Sequence, residues 1–190
     1  WPGGLGSSSG ELGHNVMDHH YNLGAAGRVE GYEDQYYSGR RANGFYIPRF
    51  VNINGDKRKY LRGFGYQGAA SRTGWSREIA ELSVGAELKE ALTEPGHWTI
   101  GATGFGEVLP YHENRIYLDT GRKDKWGLPV LAMDAEMKEN EMAMRQDIMD
   151  CAAEMLESGG LKNISTFNEA QAYPGLCIHE MGTARMGRDP

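Results

Sequence analysis

His179 is followed at short, fixed spacing by Gly182, Thr183, Arg185, Met186 and Gly187, within the segment GLCIHEMGTARMGRDP at residues 175–190. An imidazole takes up and releases a proton near neutral pH. Glycines at 182 and 187 permit backbone angles closed to other residues and let a flat ligand approach the main chain. The pattern is that of a histidine presented to a ligand. Competing chemistries fail on spacing. In HEMGT the fifth position is Thr183, where a zinc-binding HExxH helix needs its second histidine. No G-x-S-x-G nucleophile elbow occurs, and Cys177, two residues before His179, has none of the signs of an activated thiol. Upstream, His14, His19 and His20 gather around Asp18. Adjacent His19 and His20 point to different sides of any strand or helix, and no matching ligand pair recurs nearby, so no metal is expected.

A histidine so presented needs a scaffold, and the patterning describes one. Phe45–Ile53 and Lys59–Gln67 alternate partly and are separated by Asn54-Gly55-Asp56, a strong turn signal, which predicts an antiparallel hairpin. Further strands are expected at Trp98–Gly104 and, after His112-Glu113-Asn114, at Arg115–Asp119. Glu78–Leu92 carries apolar residues near helical spacing before Glu94-Pro95-Gly96 stops it. The longest helix is predicted over Ala135–Ser158, where Met144, Ile148, Cys151, Met155 and Leu156 form one stripe and Gly159-Gly160 supplies the stop. Lys162–Pro174 has no clear period and reads as irregular. The expected fold class is α+β: a mainly antiparallel sheet with packed helices.

The run H-x-x-G-T-x-R-M-G from His179 to Gly187 resembles the active-site segment of the glucose–methanol–choline (GMC) family of FAD-dependent oxidoreductases. GELGHNVMDHHY, Gly10–Tyr21, is similar to a second family element, G-x-N-x-x-D-H. Gly106-Glu107 through Pro110 and Asn114, then Lys123-Asp124-Lys125-Trp126-Gly127-Leu128-Pro129, resemble the sugar-oxidising branch. The resemblance implies that His179 is the catalytic base in oxidation of a sugar, glycoside or sugar acid hydroxyl, with hydride passing to FAD. It implies that Asp18 and His19 lie near the flavin or the domain junction, either touching the cofactor or packing. Tyr46, Tyr60, Tyr66, Gln67 and Trp75 are candidate substrate contacts, since aromatic faces and amides suit a ring of hydroxyls, or else the aromatics are core. Gly182, Thr183 and Arg185 are expected to fix the loop, the last two by satisfying backbone carbonyls.

The 190 residues suffice for one domain core and not for two. Reading from Trp1 to Asp189-Pro190, the chain is expected to be one domain, 1–190, of a longer flavoprotein cut at both ends. The dinucleotide fingerprint does not occur: Gly4 and Gly6 are followed by Ser9 where the third glycine should fall. The segment alone is therefore expected to bind no FAD and turn over no substrate; its partners would be the sugar and the FAD-binding domain of the same polypeptide. A non-catalytic carbohydrate-binding or interaction module derived from the family is the alternative. Hydrophobic residues at 39% and charged ones at 24% describe a globular chain. A net charge of −6 disfavours nucleic acid, and no apolar run approaches the roughly 20 residues of a membrane-spanning helix. Cys151 and Cys177 read as free thiols.

Overall fold

The computed structural model describes residues 5–35, 44–72, 85–169, 174–175 and 177–187. In chain order the elements are β1 (Leu23–Val29), β2 (Gly44–Ile47), β3 (Phe64–Arg72), α1 (Ala86–Thr93), β4 (Trp98–Gly106), β5 (Arg115–Lys123), β6 (Pro129–Asp134), α2 (Glu139–Ser158) and β7 (Lys162–Asn168). Five strands form one antiparallel sheet in the order β2-β3-β4-β1-β7, and β5-β6 form a separate hairpin. Mainly antiparallel sheet with two helices is the result among the described residues, and α1 buries no residue. Trp75 and residues 78–84 of the expected first helix lie outside the described residues.

One helix covers one face of the sheet. Met144, Ile148, Cys151, Ala152 and Leu156 of α2 are buried with Leu23, Ala25, Phe64, Tyr66 and Ala102. The stripe expected from the sequence is the buried one, except that Met155 is only half-buried. Contact is close because β4 carries no side chain where the helix crosses it. A Cβ on Gly104 would stand 2.2 Å from Cγ2 of Ile148, and one on Gly106 2.6 Å from Sδ of Met144. Tyr66 donates its hydroxyl to the carbonyl of Ile148 at 2.6 Å, so the ring reaches across the core and no polar atom is stranded.

The ends of α2 explain its length. At the C-terminus the amide of Leu161 donates to the carbonyl of Leu156 and that of Gly160 to Glu157. Gly160 adopts the positive φ of 83° that this stop requires. At the N-terminus the helix starts at Glu139, four residues later than expected from Ala135. The side-chain amide of Asn114 occupies both backbone groups of Glu136, donating to its carbonyl at 2.9 Å and accepting from its N–H at 3.1 Å, which holds that stretch extended. The buried Glu141 carboxylate then reaches back to the amide of Lys138 and also accepts from the amide of Leu109 and the hydroxyl of Tyr111, tying the 109–111 loop to the first turn.

Other expectations need correction. The tight hairpin turn at Asn54-Gly55-Asp56 is instead part of a long loop, 48–63, between β2 and β3. Asn52 organises that loop, donating to the carbonyls of Tyr60 and Arg62 and accepting from the amide of Arg58, which holds residues 58–62 out of β3. Lys162–Asn168, expected to be irregular, is an edge strand paired with β1. Its apolar residues Ile164 and Phe167 are three apart and so fall on opposite faces of an extended chain, hiding the period of two.

His20 is fully buried on the helix side of the sheet, and neither ring nitrogen has a hydrogen-bond partner among the described residues. Burial, and then the charge of Arg145, push its pKa down from 6.5 to about 3. Between those values the unfolded chain binds a proton that the folded chain refuses. Stability is therefore full above pH 6.5 and declines as pH falls, by about 1.4 kcal/mol per pH unit. Urea denaturation at pH 7 and pH 5 is expected to show this slope, and His20→Leu to remove it. For the helix contact, Gly104→Ala is expected to cost about 1–3 kcal/mol in the same assay by overpacking, with part recovered in Gly104→Ala/Ile148→Ala.

Candidate active site

The two sequence segments that could carry chemistry are brought together by backbone pairing. Met17 and Met181 exchange both amide hydrogen bonds, at 2.8 and 3.0 Å, and the amide of Gly13 donates to the carbonyl of Thr183 at 2.8 Å. Gly182 sits between these contacts at φ 98°, where a Cβ would lie 2.0 Å from the carbonyl oxygen of Asn15. Only glycine allows the two chains to approach this closely.

Asp18 completes the junction from within. Its carboxylate, 4% exposed, accepts from the amide of His19 at 2.7 Å, from Gly175 at 2.9 Å and from Cys177 at 3.0 Å. One side chain thus fixes its own backbone and the approach to His179, more than 150 residues later. Charge-assisted bonds of this kind are about twice as strong as neutral ones. The next residue projects the other way: the His19 ring meets the edge of His179, centroids 4.9 Å apart at 76°, and Phe105 beyond it at 6.4 Å. His19 and His20 therefore face opposite sides of the sheet, as their adjacency requires.

His179 itself is exposed. It lies at the Phe105 end of the sheet face that α2 leaves uncovered. That face presents Gln67, Ala69 and Ser71 of β3 and Thr99, Thr103 and Phe105 of β4 along a trough of about 520 Å³. Tyr46, directly across from Gln67, is 67% exposed beside it. Of the candidate substrate contacts, Gln67 is on this open face. Tyr66 is not: it is 0% exposed, with its hydroxyl committed to α2, because neighbouring residues on a strand face opposite ways. Trp75 lies outside the described residues.

Around the histidine, Thr183 contributes through its main-chain carbonyl, whereas the Arg185 side chain is exposed and makes no hydrogen bond among the described residues. Among the described residues the loop is held by the Thr183 carbonyl, by Gly182 and by Asp18. Cys177 is buried, and burial together with the negative charges of Asp18 and Glu180 raises its pKa to about 11, so it stays a thiol. Cys151 is held up to about 11 in the same way, first by burial and then by Asp147. Thr103 and Phe105 went unnoticed by motif reading; only the register of β3 and β4 puts them beside Gln67 and His19.

Among the described residues no strand runs through a glycine turn into a helix N-terminus, the usual cradle of a dinucleotide diphosphate. What this end of the sheet presents is an exposed imidazole, a second imidazole against it and a face of small polar side chains.

Residues 110–190, which include His179 and the hairpin β5-β6, match the family model described as GMC oxidoreductase. Across its whole length the chain is also similar to the 2-methyl-1,2-propanediol dehydrogenase of Mycolicibacterium austroafricanum, with 29% identity over 197 aligned positions. The chain spans 34% of the length of that relative.

The Asp18 junction has a measurable consequence. Asp18→Ala strands the amides of Gly175 and Cys177 and is expected to cost roughly 2–4 kcal/mol. Hydrogen exchange at those two amides should accelerate by more than that at the core of α2. Asp18→Asn, which retains one acceptor oxygen, should fall between. Unchanged exchange at Gly175 and Cys177 would remove Asp18 from this role.

Proposed function

We propose that this chain forms the substrate-facing part of an FAD-dependent alcohol oxidoreductase of the GMC type, in which His179 is the general base. The observation that carries the reading is the position of His179: exposed, in edge contact with His19, and held at the end of a polar sheet face by the pairing of residues 13–17 with 181–183. The match of residues 110–190 to the GMC oxidoreductase model supports it.

FAD, when bound, supplies the oxidising power by accepting hydride from the alcohol carbon. The chain's own residues do the rest. A ring nitrogen of His179 takes the hydroxyl proton as the carbon–hydrogen bond is broken, which avoids a charged, unassisted alkoxide. His19 holds the plane of the His179 ring by edge contact, and Asp18 positions both through the backbone amides it binds. The exposed side chains of Ile178, Met181 and Met186 around the base are apolar cover suited to excluding water once the FAD-binding part of the polypeptide lies against them.

For substrate, the open face favours a polyhydroxylated molecule. Gln67, Ser71, Thr99 and Thr103 supply an amide and hydroxyls that both donate and accept, and Tyr46 supplies an aromatic face. A sugar, glycoside or sugar acid fits this lining. The relative's name, a dehydrogenase of 2-methyl-1,2-propanediol, favours a second reading of the same site, a small branched diol.

In the full-length flavoprotein, His179→Ala is expected to slow anaerobic single-turnover flavin reduction by about 10²–10⁴-fold while bound flavin is unchanged. His179→Asn should be comparably slow, because an amide cannot accept the proton. Flavin reduction at the wild-type rate in either variant, with saturating substrate, would make His179 structural. Comparing kcat/KM for glucose, gluconate and 2-methyl-1,2-propanediol separates the two substrate readings.

A further inference from the structure

The uncovered sheet face holds a second concavity at its other end. It has a volume of about 200 Å³ and is lined by Arg28 of β1, His97 and Thr99 near the start of β4, and Asn163 and Ser165 of β7. Thr99 lies six residues from Phe105 along an extended strand, about 20 Å at roughly 3.4 Å per residue. The concavity therefore adjoins the far end of the trough, sharing Thr99 with it, and lies well away from the Phe105 end where His179 stands.

Its chemistry is one-sided. Among the described residues Arg28 makes no ion pair, and its Nε is buried without a hydrogen-bond partner. Leaving such a donor dry and unpaired is costly, more so for a charged group. Directly across the strand pair stands Lys162, also without an ion pair. Like charges at paired positions repel. No carboxylate lines the concavity, whereas an amide, two hydroxyls and an imidazole do, each of them able to donate. We propose that Arg28, His97, Thr99, Asn163 and Ser165 form a binding site for a small oxyanion, a carboxylate or phosphate group. The oxyanion satisfies the guanidinium, relieves the repulsion between Arg28 and Lys162, and takes hydrogen bonds from the surrounding hydroxyls and amide. This site stands whether or not His179 is a catalytic base.

The test is an NMR titration of the isotope-labelled full chain with inorganic phosphate and, separately, with acetate, at pH 7 and constant ionic strength. Expected are saturable shifts at the amides of Thr99, Asn163 and Ser165. Arg28→Gln should weaken binding at least tenfold, about 1.4 kcal/mol. Ser165→Ala, a change on the edge strand that keeps the fold, should weaken it several-fold and serves where Arg28→Gln fails to fold. Saturation at lower phosphate than acetate assigns a phosphate group, and the reverse order a carboxylate. Non-saturating shifts with both anions would overturn the proposal. So would saturation that neither Arg28→Gln nor Ser165→Ala alters, since phosphate acts on protein surfaces generally.

Discussion

The architecture depends on how closely α2 lies on β4. Gly104 and Gly106 leave room for Ile148 and Met144 to sit against the strand backbone, and the sheet is committed by that contact to one buried face. Among the described residues a single helix packs on the sheet, and its second face is open. Burial therefore sorts each strand by parity: Tyr66 goes into the core and Gln67 onto the exposed face, while His20 is dry and its neighbour His19 is available. The same division separates residues that hold the fold together from those free for chemistry.

His179 stands at the open face because residues 177–187 are fastened there. An approach segment without regular structure would not hold a histidine in register. Backbone pairing at Met17–Met181 and Gly13–Thr183 sets position, and the Asp18 carboxylate holds Gly175 and Cys177 just before His179. The N-terminal segment is itself held by Asn114, whose carbonyl accepts from Val16 and whose side chain holds the stretch before α2. Glu141 secures the 109–111 loop to the first turn of that helix. A continuous chain of hydrogen bonds thus joins the core helix to the candidate base.

Local patterns made parts of this legible in advance. The spacing of Met144, Ile148, Cys151 and Leu156 marked the buried stripe of α2, and the residues from His179 to Gly187 marked the candidate site segment. Strand β4 was visible as a run from Trp98. What escaped depended on tertiary contacts. β1 reads Leu-Gly-Ala-Ala-Gly-Arg-Val, a poor strand by propensity, and exists because neighbours on both sides pair with it. β7 was hidden by the three-residue spacing of Ile164 and Phe167. The start of α2 shifted because Asn114, distant in sequence, captured Glu136. Asp18 carried a motif signal, yet its role as a clamp required knowing that Gly175 and Cys177 lie beside it.

The composition of the uncovered face argues that it is a working surface and not an unfinished core. A face awaiting a second helix would carry Leu, Ile or Val at alternate positions. This one carries Gln67, Ser71, Thr99, Thr103 and Ser165, with Ala and Gly between them, so covering it with apolar side chains would strand amides and hydroxyls. Its two charged or titratable extremes differ in kind. At the Phe105 end, imidazoles in edge contact sit among exposed apolar residues, an environment that suits proton transfer. At the Arg28 end, a guanidinium without a counter-charge is ringed by hydrogen-bond donors, an environment that suits holding negative charge. Between them the face is polar, with its amide and hydroxyl groups open to hydrogen bonding.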